Sequence, residues 1–200
     1  MLLSMLIFVL SFVITNTPVL AENSLYSDVT SNQKIINTLN VLKKHDADSR
    51  QVLNVILGNN VSHKPMKIMF YNLASMGSDF AGMDAVACKK NNSDIIYILI
   101  NSVHQNAPEE AIASLLAHET IHQDEISSIE EEVAGWTNEA KAWASYVANN
   151  AQLSRVHSEL VNRMNTISSM YTASASNIER KVSSISGYAV LPKYSPGFGF

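Results

Sequence analysis

His118-Glu119-Thr120-Ile121-His122 holds the residues of this chain whose types and spacing could do chemistry together. On a helix, residues four apart stand one above the other, so His118 and His122 can offer two imidazole nitrogens to one metal ion. Glu119 then lies beside that ion. There its carboxylate can take a proton from a metal-bound water whose pKa a zinc ion lowers toward neutrality. The pattern HExxH on a helix is the ligand and general-base arrangement of zinc-assisted peptide hydrolysis. So short a motif also arises by chance, and the surrounding elements must support it.

A catalytic zinc ion usually keeps three protein ligands and one water, so a third ligand is required. The longer motif that supplies a third histidine needs Gly and His where this chain has Glu125 and Ser128, which excludes the metzincin continuation. A carboxylate from the next helix remains. Ser128-Ile129-Glu130-Glu131 has the form of a capping box, in which Ser128 caps the first turn and Glu131 reaches back to its backbone amide. Glu132 differs, because Gly135, Trp136, Glu139, Ala140 and Trp143 follow it at helical spacing on the face expected to meet the motif helix. Glu132 is therefore expected as the third ligand, with Glu131 the next choice and Glu139 a partner that orients a histidine. Gly135 would let the two helices approach closely.

The stretch from Ile95 to Trp143, with His118-Glu119-Thr120-Ile121-His122 followed by Glu132-Val133-Ala134-Gly135-Trp136, resembles the gluzincin-like metallopeptidases, including small exported bacterial HExxH proteins. The resemblance implies that the motif histidines and a Glu of the next helix bind zinc, with the motif Glu as general base. Several such families carry Asn or Asp where Trp136 stands here.

The elements that must position these residues are legible in outline. Pro108 at a helix start, with Glu109 and Glu110 in the first turn where the helix dipole favours negative charge, predicts that the motif helix begins there. Ala111, Leu115, His118 and His122 continue an inward-facing stripe. Asp94 to Asn101 is a β-branched run of strand length, and Lys67 to Tyr71 and Ala85 to Cys88 predict two further strands, the last separated from Asp94 by a turn over Lys89 to Ser93. An extended peptide could add to one of them, as in other strand-addition modes of recognition. Helices are expected from Lys34 to Lys43 and from Ser49 to Leu57, the latter ended by Gly58-Asn59-Asn60. Beyond Trp143, one long helix or two should carry Leu160, Met164 and Ile167, and Leu191 to Phe200 should be an irregular tail. The expected class is α+β: a small antiparallel sheet packed on a zincin-type motif helix, with further helices before and after it.

With 200 residues, nearly half of them apolar, the chain can bury one sizeable core. A net charge of -4 with scattered basic residues argues against nucleic-acid binding. Met1 to Ile14 is apolar, and Val19-Leu20-Ala21 before Glu22 suits a signal peptidase, so residues 1–21 are expected to be a signal peptide and 22–200 a single domain that is secreted or periplasmic. Asn16, Thr17 and Pro18 interrupt the apolar run too early for a membrane span. Cys88 is the only cysteine, is expected to be a small buried hydrophobe, and lacks a nucleophile signature. Trp136 and Trp143 read as core anchors. Tyr146, Tyr171, Tyr188, His104 or His157 could supply a donor to a tetrahedral intermediate, without a sequence signal that chooses among them. The expected partner is a peptide or protein substrate. The rival reading is a non-catalytic exported interaction or inhibitor protein, with a structural zinc of four protein ligands, Glu139 among them, or with no metal.

Overall fold

The computed structural model describes residues 25–59, 65–89, 94–123 and 127–195. The expected signal peptide, residues 90–93 of the expected turn and the last five residues of the tail lie outside these. Asn32 and Asp46 start the first two helices by one device. The Asn32 side chain accepts from the amides of Lys34 and Ile35 and opens α1 (Gln33–Lys44); the Asp46 side chain accepts from Ser49 and opens α2 (Ala47–Ile56). Gly58 ends α2 with a φ of 72°, a left-handed conformation open to glycine without strain. The apolar stripes of both helices, including Ile35, Leu39, Leu42 and Ile56, enter one core.

Three strands form one sheet, β1 (Lys67–Tyr71), β2 (Ala85–Lys89) and β3 (Ile96–Asn101), in the order β1-β3-β2. β3 buries Ile96, Ile98 and Ile100 on one face. The class is α+β as expected, but the sheet is mixed rather than antiparallel. β2 runs antiparallel to β3, with Ala85 opposite Ile100, whereas β1 runs parallel to β3, with Lys67 opposite Tyr97. Residues 72–84 form a 3-10 turn and bends instead of a tight hairpin, so β2 lands across β3 from β1. Residue alternation marks a strand but carries no information on the direction of its partner.

The motif helix α3 (Glu109–Glu119) follows Pro108, which occupies the capping position rather than the first helical one. Every residue from Ala111 to Glu119 is buried, so α3 is the central element of the molecule. It packs against α4 (Ile129–Asn149), which packs in turn against α5 (Glu159–Ala173) and α6 (Ser176–Ser183). The region beyond Trp143 thus holds the end of α4 and two further helices, with Leu160, Met164, Ile167, Ile178 and Val182 in the core. Trp143 is buried and donates its indole N–H to Asn165 at 2.9 Å, the core anchor expected of it. Among the described residues, no helix is long and apolar enough to cross a membrane.

Candidate metal centre

Regular α-helical bonding ends at Glu119, three residues before the second histidine. The chain then tightens, with Ile121 N–H donating to the His118 carbonyl at 3.0 Å and His122 N–H to the Glu119 carbonyl at 3.3 Å. These are bonds of the 3-10 type, common at helix ends. His122 therefore stands just beyond the helix on which sequence spacing would put it. Its ring still lies near that of His118, with centroids 5.4 Å apart.

The third member comes from the first turn of α4. One ligand atom from each of His118, His122 and Glu132 lies within 4.8 Å of the others, a group that could hold a metal ion. His118 Nε2 is 3.6 Å and His122 Nε2 3.8 Å from the two Glu132 oxygens. Glu131 points elsewhere, and its carboxylate accepts from the Ser195 hydroxyl at 2.5 Å. The capping box is consequently half formed: Ser128 Oγ accepts from Glu131 N–H at 3.2 Å, but Glu131 turns to the tail. Gly135 is the reason α4 can come so near. A Cβ at this position would lie 2.7 Å from His118 Cδ2 and 2.9 Å from Nε2, closer than packed atoms tolerate.

Behind the candidate ligands runs a continuous ionic network. His118 Nδ1 donates to Glu139 Oε2 at 3.2 Å, which turns the Nε2 lone pair toward Glu132 and suits it to a cation. Glu139 is fully buried and is gripped by both terminal nitrogens of Arg163, Nη2 at 2.8 Å from Oε2. Arg163 Nε lies 3.1 Å from Asp84, and the other Asp84 oxygen is 2.6 Å from His104 Nε2. The guanidinium also stacks 5.2 Å from the Trp136 ring. Glu139 was expected as an orienting partner; Arg163, Asp84 and His104 were not expected in this network. The available signal for Arg163 was a charged residue set in the apolar stripe of Leu160, Met164 and Ile167.

These groups reset one another's acidity. Burial alone would lower the His118 pKa, but its hydrogen bonds to Glu132 and Glu139 overcome this and push it up to about 10. Burial would raise Glu132, yet the His118 partner brings it down to about 2. A proton and a cation thus compete for the same imidazole nitrogen. Glu119 is different: burial, reinforced by the charges of Glu139 and Glu132 against that of His118, raises it to about 7. A carboxyl poised there can exchange a proton near neutral pH.

Glu119 and the three candidate ligands open onto a cleft of about 600 Å³. Its other walls include edge strand β2, Arg163 and Tyr188. Cys88 lies on the β2 wall and is half-buried rather than fully enclosed as expected. Burial and the nearby Glu119 raise its thiol pKa, the reverse of what a nucleophile needs. Of the hydroxyl and imidazole donors considered from sequence, Tyr188 lines the cleft. Tyr146 stacks on His45 elsewhere, Tyr171 sits near Lys141, and His104 bonds Asp84. Comparison with family models, curated proteins and solved structures finds no match to this chain.

Proposed function

We propose that the chain is an exported zinc-dependent metallopeptidase of gluzincin-like type that hydrolyses peptide bonds in a peptide or protein substrate. The observation that carries this reading is a donor set of two imidazoles and one carboxylate with a further buried acid, Glu119, outside that set on the wall of the same cleft. Two imidazoles and one carboxylate are a known donor set of hydrolytic zinc, and a zinc ion held by His118, His122 and Glu132 would supply Lewis acidity to a carbonyl and to a water. Glu119 takes the proton of the attacking water and returns it to the leaving amine, a role that its elevated pKa supports. Glu139, fixed by Arg163, holds the His118 ring and its tautomer. Among the described residues β2 is an edge strand of the sheet, on the wall of the cleft that holds Glu119, against which an extended peptide could add as a strand.

The rival reading of a closed structural site would need a fourth protein ligand, for which Glu139 was the candidate. Glu139 instead serves the far nitrogen of His118 and the Arg163 guanidinium. Metal analysis of the purified protein before and after chelation, together with a broad peptide-cleavage screen, tests the proposal. Stoichiometric zinc and cleavage that chelator abolishes are expected; cleavage that survives removal of all metal would sink it. The expected signal peptide supports a secreted or periplasmic place of action.

A further inference from the structure

Asp84 is the last residue before β2, and the chain is anchored there rather than earlier. Between Gly77 and Met83 it turns on itself, with Phe80 N–H donating to the Gly77 carbonyl at 3.2 Å and Met83 N–H to the Phe80 carbonyl at 3.1 Å. At Met83 this changes. The buried side chain of Asn101, at the end of β3, donates to the Met83 carbonyl at 2.9 Å, and the Asn101 amide donates to the Asp84 carbonyl at 2.8 Å. His104, also buried, donates through Nε2 to one Asp84 carboxylate oxygen at 2.6 Å. The other oxygen lies 3.1 Å from Arg163 Nε, on α5. Bonds to β3 set the register of β2, but among the described residues no strand flanks its other side. The sheet alone therefore does not set how far that edge stands from the candidate ligands, and Asp84 reaches across to a helix that can.

Arg163 completes the link. A guanidinium is planar and rigid, so two carboxylates held by one such group are fixed relative to each other. Here Nε meets Asp84, at the start of β2, and the terminal nitrogens meet Glu139, which accepts from His118 Nδ1 at 3.2 Å. The Trp136 ring lies 5.2 Å from the guanidinium carbon and helps to hold its plane. Asp84, Arg163, Glu139 and His118 thus form one unbroken chain of contacts from the edge strand to a candidate ligand. We infer that Asp84 is a positioning residue of the proposed peptidase: through Arg163 and Glu139 it sets the distance and angle between β2, where a peptide would add, and the metal site of His118, His122 and Glu132. The inference rests on the function proposed above. A carbonyl seated about 1 Å out of place can react about 10²-fold more slowly, so a link that touches neither substrate nor metal still governs the rate. A role confined to stability would leave the distance unchanged.

The test loads cobalt(II) into metal-stripped full-length protein, Asp84→Ala and Asp84→Glu, and records the pseudocontact shifts of backbone amides by NMR. The paramagnetic ion moves each amide signal by an amount set by that amide's position relative to the metal. Amides of α3 and α4 fix the magnetic axes, and those of Ala85 to Lys89 then report where β2 stands. Asp84→Ala removes the link, while Asp84→Glu keeps its charge and lengthens it by one methylene. In both, the β2 amides should leave their wild-type positions, while zinc affinity by chelator competition should fall by less than the about 10-fold expected for loss of a direct ligand partner. On a peptide taken from the cleavage screen, at a temperature where the variant is fully folded, kcat should fall about 10- to 100-fold. If Asp84→Ala does not fold, Asp84→Glu decides. Wild-type β2 shifts, or a wild-type kcat despite moved shifts, would overturn the inference, whatever happens to the unfolding midpoint. Moved shifts with no peptide cleaved by wild type would uphold the positioning of β2 by Asp84 and overturn the peptidase reading, whereas no saturable cobalt binding by wild type would overturn both.

Discussion

Glu119 and Arg163 illustrate how two charged side chains at one site can have separable roles. Glu119 is outside the ligand group, so Glu119→Gln should leave zinc bound while lowering peptide hydrolysis by about 10²- to 10⁴-fold, the range for a positioned acid–base group. Metal content and turnover measured on the same preparation check this. Arg163 acts on stability, because Glu139 has no exposure to water and leans on the guanidinium for its charge. Removing one partner of a buried pair costs about 3–5 kcal/mol, so Arg163→Met should lower the unfolding free energy by an amount of that order. Adding Glu139→Gln to Arg163→Met should restore part of the loss, as denaturant titration would reveal. At this scale His118, Glu119, His122 and Glu132 were readable from spacing. Arg163, Asp84 and His104 were not, since their partners lie on other elements and no local pattern links them.

At the scale of elements, the contact between α3 and α4 decides the geometry. Glycine inside a helix costs about 1 kcal/mol relative to alanine, so in an open position Gly135→Ala would stabilise α4. Here the added methyl would meet the His118 ring at 2.7 Å, and overpacking typically costs about 1–3 kcal/mol. The clash should win: Gly135→Ala should lower the thermal midpoint and weaken zinc binding together. The junction of β2 with α5 makes a pH prediction. Burial would raise the Asp84 pKa, but the His104 hydrogen bond and the Arg163 charge outweigh it and hold it below its ordinary 3.8. A depressed folded pKa gives stability that is present above the unfolded value and lost as pH falls through the folded one. Unfolding free energy should therefore drop below about pH 3.8, and Asp84→Asn should flatten that part of the curve in an acid titration. The strands were legible in the sequence, yet the parallel β1–β3 pair was not, because it follows from the path of residues 72–84.

At the scale of the molecule, the core of the described residues draws on the six helices α1 to α6 and the sheet without using the candidate ligands. The protein should accordingly fold without zinc and gain stability from it, since a ligand that binds only the folded state stabilises by mass action. At a free zinc concentration 100 times Kd the gain is about 2.7 kcal/mol. Scanning calorimetry should show a midpoint that rises with zinc, returns on chelation, and in Glu132→Gln responds weakly. A zinc-independent midpoint in wild type would contradict the metal site itself.

Composition, helical periodicity, capping residues and the HExxH spacing were enough for the α+β class, for most of the elements and for the candidate group of His118, His122 and Glu132, because these properties are local. Tertiary structure alone decided that β1 runs parallel to β3, that Glu131 faces the tail, that Arg163 neutralises Glu139, and that the chain's last described residues close the turn bearing Glu132. Each of these depends on contacts between residues far apart in the chain. Spacing along one element can align side chains on a face, but only packing determines which distant group that face meets.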